Sequence, residues 1–271
     1  LNSSKINIFS FNLGDFMNKI LFSLLIFWVL LSSCARDTKE TTLSSTDSVL
    51  LAQSNSPSLP LTFSSIDSLA FFPDAMVELY TPLGNQIFKP GKVPFEFNVK
   101  NFPLRAASTS SPRLRMILNG SDPEGYSSPI FQKELTRGTY RVVAYLVDEK
   151  GLALKNFGNY VDRDFMVGDS RPFPYSAEPY LAVNLPKNGQ ILAYGEPLVL
   201  DFLILGGDLE LDKLKVKVLI HGDSTELTSP NSIRIANLPK GDHQLKIQLL
   251  RKDNKELDGP FSSSTKTVFV R

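Results

Sequence analysis

Apolar and polar residues alternate with a period of two over much of the chain beyond residue 70. That spacing puts successive side chains on opposite faces and predicts half-buried β-strands. The stretch Arg113–Gly120 (RLRMILNG) reads basic, apolar, basic, three apolar, polar, glycine, and Lys215–Gly222 (KVKVLIHG) repeats the pattern. Predicted strands run over 76–81, 86–89, 94–101, 113–119, 129–135, 139–147 and 160–167, then over 180–185, 190–193, 197–205, 214–221, 231–236, 242–251 and 264–270. Pro112, Pro129 and Pro230 fall at strand starts, where a missing N–H is tolerated. No stretch of eleven or more residues in this part carries a helical period.

The two sets of strands are copies of one unit, offset by 102–105 residues. Thr81–Ile87 (TPLGNQI) matches Leu185–Ile191 (LPKNGQI), with Gly91 and Gly195 following at equal spacing. Leu135–Leu146 (LTRGTYRVVAYL) matches Leu238–Leu249 (LPKGDHQLKIQL). Asp148–Gly151 and Lys252–Lys255 supply turn residues before the last strand of each copy. About seven short strands in a unit of this length imply a β-sandwich. The pattern resembles the immunoglobulin-like and fibronectin-like modules of bacterial surface proteins, in which a Leu-x-x-Gly-x-[His/Tyr] corner leads into a long central strand. The fold class expected is all-β: two tandem immunoglobulin-like antiparallel sandwiches, at 71–169 and 180–271, joined by a Pro-rich linker over 170–179. The antibody Cys–Trp–Cys core is absent, since the only tryptophan, Trp28, lies far upstream.

The segment before residue 71 has a different texture. Ile20–Leu31 (ILFSLLIFWVLL) is uncharged and, as a helix, extends roughly 18 Å. That is short against about 30 Å of bilayer hydrocarbon, and it suits the apolar core of a signal peptide. Met17 and Lys19 supply a start and a positive flank, so 17–33 reads as the signal peptide and 1–16 as an over-extended gene start. The run ends in Leu31-Ser32-Ser33-Cys34, which resembles the bacterial lipobox. The resemblance implies that the Cys34 thiol receives diacylglycerol and that the chain is cut before it. It also implies acylation of the new amino terminus, for instance by palmitate. Two or more acyl chains anchor a protein stably where one does not. Residues 34–70, rich in Ser, Thr and Asp, read as the lipidated cysteine and a flexible tether.

Composition adds exclusions. Net charge is +1, with 29 basic and 28 acidic residues, which offers no electrostatic footprint for nucleic acid. Cys34 is the single cysteine, so no internal disulfide forms. The two histidines fall at matching places in the repeat: His221 opposite Asn119, and His243 opposite Tyr140. A role that Tyr140 and His243 both fill is structural, a packed ring whose polar tip bonds backbone, like a tyrosine corner. No catalytic residue, metal ligand set or cofactor motif is nominated. Asp122, Glu124, Asp223 and Glu226, with Asp148, Glu149, Asp162, Asp164 and Asp169, are oxygen donors of the kind calcium takes, but they lack dense spacing. Phe173 and Tyr175 of the linker are candidates for an interdomain contact or an aromatic ligand platform.

The function expected is that of a non-catalytic lipoprotein, held by its anchor at the cell envelope, in the outer membrane, on its periplasmic or outer side. It would display binding or structural modules to an envelope protein or a glycan. The rivals are a carbohydrate-binding accessory and a hydrolase with carboxylates on domain-end loops.

Overall fold

The computed structural model describes residues 59–66, 72–105, 107 and 111–271. Cys34, the stretches 1–16 and 17–33, and the tether up to residue 58 lie outside the described residues. Every regular element among the described residues is a strand. The chain enters through β1 (Thr62–Ile66). The first sandwich comprises β2 (Met76–Thr81), β3 (Ile87–Phe88), β4 (Gly91–Lys100), β5 (Leu114–Leu118), β6 (Glu124–Tyr126), β7 (Ile130–Leu135), β8 (Gly138–Leu146) and β9 (Tyr160–Val167). The second comprises β10 (Tyr180–Leu185), β11 (Gln190–Leu192), β12 (Leu198–Leu205), β13 (Leu214–Ile220), β14 (Asp223–Leu227), β15 (Ser232–Ala236), β16 (Gly241–Arg251) and β17 (Ser263–Val270).

In the first sandwich a sheet of order β2-β4-β7 faces one of order β3-β9-β8-β5-β6. In the second, β10-β12-β15 faces β11-β17-β16-β13-β14. Adding eight to each strand number of the first copy gives the second, so both are immunoglobulin-like sandwiches of one topology. The match reaches local irregularities. Both first strands break register one residue before a cis proline, between Leu79 and Thr81 and between Val183 and Leu185. Both β5–β6-type connections turn on two residues of positive φ, Asn119-Gly120 and His221-Gly222, and the second, closed by the Ile220–Asp223 pair, is the tight hairpin that requires them.

The structure corrects the sequence reading in three places. Each copy has eight strands rather than seven, because the short hairpin partners β6 and β14 follow those turns. The sheets are not wholly antiparallel: β3 runs parallel to β9, and β11 to β17. The stretch read as tether to residue 70 contains β1, which pairs antiparallel with β15 of the second sandwich. The sequence TFSSI is too polar to announce a strand. Its order comes from the ladder to β15, from Leu61 and Phe63 packed on the second core, and from Asn237 Nδ2 donating to the Pro60 carbonyl at 3.0 Å.

Inward residues of the two sheets form each core. Val93, Phe95 and Phe97 meet Met116, Val142, Ala144 and Phe165 in the first, and Leu198, Leu200 and Phe202 meet Val216, Leu245, Ile247 and Val268 in the second. Full burial of such side chains stabilises by about 1.5–3 kcal/mol each. Pro94 sits inside β4 without harm. The Phe97 N–H bonds the Pro129 carbonyl at 2.8 Å, so antiparallel alternation turns position 94 away from β7.

The copies differ at one edge. Among the described residues β7 has β4 as its sole ladder neighbour, whereas its counterpart β15 also carries β1. Lys133 lies opposite Val93, and Ile235 lies opposite Leu198, in the matching place. On the open edge, therefore, an ammonium stands where the covered edge has an isoleucine. Lys133 Nζ lies 2.7 Å from both carboxylate oxygens of Glu124. An inward-pointing charge of this kind discourages pairing with another chain.

Candidate functional site

The outer faces of the two copies have different fates. On β8 the inward residues Val142, Ala144 and Leu146 are buried, but so are the outward Val143 and Tyr145. With Ile117, Val147 and Ala153 they form a third apolar cluster against Ala182, Leu203 and Leu205 of the second sandwich. The five-stranded sheet of the first copy thus packs on the β10–β12 face of the second.

A polar network closes this joint. The Asp201 carboxylate is wholly buried and accepts three hydrogen bonds beside one ion pair. Ser232 Oγ donates to Oδ1 at 2.6 Å and Lys155 Nζ lies 2.9 Å from the same oxygen. The Ala153 N–H and Asn184 Nδ2 donate to Oδ2 at 2.8 and 2.6 Å. Asn184, also wholly buried, gives its other amide proton to the Gly151 carbonyl at 2.8 Å. Its Oδ1 accepts from Tyr145 Oη at 2.9 Å and from Arg115 Nη1 at 2.6 Å. Burial pushes the Tyr145 phenol far up, so it stays a donor. A second link lies at the far side, where Lys266 Nζ meets Asp122 Oδ1 at 2.6 Å and the Asn188 N–H also donates to that carboxylate. Burial works to raise the Asp122 carboxyl, but the Lys266 ammonium and the Asn188 N–H together hold it below its ordinary value.

Where the linker crosses the seam it walls a cleft of about 320 Å³, at the lower end for small-ligand sites. Arg141 forms one side. Its guanidinium is held by Asp164 in a two-pronged pair at 2.7 and 2.6 Å, which raises its affinity for the proton. The same group lies 4.6 Å from the Tyr180 ring centroid, 5.3 Å from Phe261 and 5.5 Å from Phe173. Phe173 meets Phe261 edge to face at 5.7 Å. Tyr180 Oη donates to Asp162 at 2.8 Å; burial and then that carboxylate push the phenol up. Glu178 also lines the cleft and pairs with Arg251 at 2.7 Å, and Asp258 supplies a further carboxylate. The linker is pinned on the first sandwich by Ser170 Oγ on the Gly138 carbonyl at 2.9 Å and by Thr139 Oγ1 on the Arg171 carbonyl.

The two linker candidates separate. Phe173 packs into the seam, while the Tyr175 side chain is 95% exposed at the cleft rim. Tyr140 and His243 occupy equivalent corners: Tyr140 Oη donates to the Thr136 carbonyl at 2.9 Å, and His243 Nε2 lies 2.7 Å from the Pro239 carbonyl, each four residues upstream. The candidate oxygen donors for calcium are dispersed over separate partners. Glu124 pairs with Lys133, Glu226 with Lys215, and Asp169 with Arg137, while Asp148 Oδ1 accepts the Leu152 N–H. Among the described residues no group of three or more His, Cys, Asp or Glu side chains is placed to hold a metal ion.

The joint residues escaped the sequence reading, though they left a trace. Outward positions of β16 carry Lys246 and Gln248; the matching β8 positions carry Val143 and Tyr145. Outward Asn98 and Lys100 of β4 become Leu203 and Leu205 on β12. Loss of alternation on one face of each copy marks the surfaces that meet.

The chain matches no protein-family profile and no curated protein. Among solved structures it is similar to the fibronectin(III)-like modules of Clostridium thermocellum CbhA, at 13% identity, covering 72% of this chain and 94% of that one with a TM-score of 0.28. It is also similar to the three N-terminal domains of the bacteriophage RB49 Highly Immunogenic Outer Capsid protein, at 13% identity, 73% and 69% coverage and a TM-score of 0.22. The fold assignment rests on the strand order of the chain itself.

Proposed function

We propose that this chain is a lipid-anchored protein of the cell envelope, attached to the outer membrane through Cys34, whose two sandwiches act as one non-catalytic binding body. The anchor is supported by the apolar run ending in Leu31-Ser32-Ser33-Cys34 and by the absence of any other cysteine in the chain. The binding role is carried by the seam cleft, which residues of both sandwiches and the linker build jointly. The buried joint holds its walls in fixed relation, so the site is formed before a ligand arrives. Lipidation is tested by labelling cells with a palmitate analogue. Label and membrane-fraction recovery should both vanish in Cys34→Ala, and their survival would remove the anchor.

A second reading, a carbohydrate-binding accessory, is favoured by one observation. The exposed Tyr175 ring stands at the rim of a cleft that also holds the carboxylates of Glu178 and Asp258. An aromatic face beside hydrogen-bond acceptors suits a sugar ring. Screening the full chain on a glycan array, with Tyr175→Ala as comparison, tests it. Binding lost in the variant supports a saccharide, and equal signals from both proteins refute it.

A further inference from the structure

The chain has two histidines, and the fold brings them together. His221 sits on the exposed β13–β14 turn with φ 54°, and His243 lies in β16 with 1% of its surface exposed. Their rings stand at 86° with centroids 4.4 Å apart, His221 Nε2 against His243 Nδ1. The Pro239 carbonyl only accepts, so His243 Nε2 beside it carries the ring proton. In the neutral ring Nδ1 then holds a lone pair aimed at His221. One nitrogen fixed by a backbone acceptor is how metal-bound imidazoles are oriented, and here the lone pair of the other nitrogen is met by His221 Nε2.

The corner itself does not require this pair. In the first copy Asn119, with φ 49°, takes the turn position and its Oδ1 accepts the Arg141 N–H at 2.7 Å, while Tyr140 makes the corner bond. The second copy carries histidine at both places. We propose that His221 Nε2 and His243 Nδ1 form a two-histidine site for a borderline divalent transition metal such as Zn²⁺ or Cu²⁺. Solvent completes the shell. The exposed His221 rotates outward to leave each nitrogen about 2.0–2.1 Å from zinc. With two protein ligands the site is open, and its metal exchanges.

The repeat supplies its own control variants. The full chain, carrying Cys34→Ser to remove the thiol, is solubilised in detergent and titrated with Zn²⁺ by calorimetry near neutral pH. His221→Asn and His243→Tyr insert the residues that the first copy carries at those places. The parent should take up one Zn²⁺ per chain, and either variant should bind roughly tenfold or more weakly. Cu²⁺ should bind more tightly than Zn²⁺, and uptake should fall below about pH 6.5 as protons compete for the imidazoles. A parent that takes up no zinc overturns the proposal, as does undiminished binding by His221→Asn. That variant lies on an exposed turn and decides the matter even if His243→Tyr fails to fold.

Discussion

Replacing Asp201 by asparagine tests the joint with the smallest change of shape. All four partners of the carboxylate are donors, two on each oxygen: Ser232 Oγ and Lys155 Nζ on one, the Ala153 N–H and Asn184 Nδ2 on the other. An amide keeps one oxygen and turns an NH₂ group toward the other two donors. With its NH₂ group toward Ala153 and Asn184 both of those donors lose their acceptor, but turned toward Ser232, whose hydroxyl can also accept, it leaves only the part-exposed Lys155 ammonium unmatched. The amide takes the second orientation, and with one unsatisfied group the loss comes to about 1–3 kcal/mol. The ion pair to Lys155 goes too, though the 20% exposure of that lysine side chain lets water soften its loss. Two of the four donors, Ala153 and Lys155, belong to the first sandwich, so part of the cost falls on the contact between copies. Urea denaturation of the full chain followed by far-ultraviolet circular dichroism should show this loss. A double-mutant cycle with Lys155→Met should return a coupling of about 0.5–3 kcal/mol. A single-variant cost below about 0.5 kcal/mol, or a coupling of zero, would refute the assigned role of this network.

Other consequences are open to equally direct checks. Val143→Lys puts the β16 residue on the buried β8 face, 3% exposed. It should cost about 3–5 kcal/mol in denaturant melts as an uncompensated buried charge, whereas a neutral result would mean the copies do not pack there. The folded Asp122 carboxyl is held below its ordinary 3.8. Its link to Lys266 therefore contributes above that pH and is lost as the pH falls through the lower folded value. The stability gap between parent and Asp122→Asn should close in acid, and a gap that widens there would contradict this sign. Folded His243 binds its proton less readily than the ordinary 6.5, so the second sandwich should lose stability below about pH 6.5, and His243→Tyr should flatten that slope. Lys133→Ile removes the guard from the β7 edge, and light scattering should detect concentration-dependent association that the parent lacks.

The repeat, its strands and the all-β class were legible because inward Val, Leu, Ile and Phe recur at spacing two in both copies. The corner of Tyr140 and His243 was legible because two unlike rings share one place in the pattern. β6 and β14 were missed because strands of three and five residues carry little alternation; the Asn119-Gly120 turn was their best signal. β1 was missed because its order is tertiary, drawn from a partner some 170 residues away in the chain. The joint required comparing the copies position by position. Asn184 and Asp201 are ordinary polar residues until the register places them under Arg115, Tyr145 and Lys155. The cleft depends on the linker returning Phe173 onto Phe261, which no local spacing encodes.

The placement of β1 sets the order in which the body would feel a pull from its N-terminal side. A pull transmitted along the chain toward residue 59 reaches the ladder between β1 and β15, and the Asn237 clasp on Pro60, before it reaches any core strand of the first sandwich. The second sandwich, rather than the first, is thus the first to take mechanical load. Five residue pairs at a sheet edge can yield at the cost of the Phe63 contact while the buried residues of both cores keep one another. Strain applied from the N-terminal side would be spent on peeling a strand before unfolding a domain.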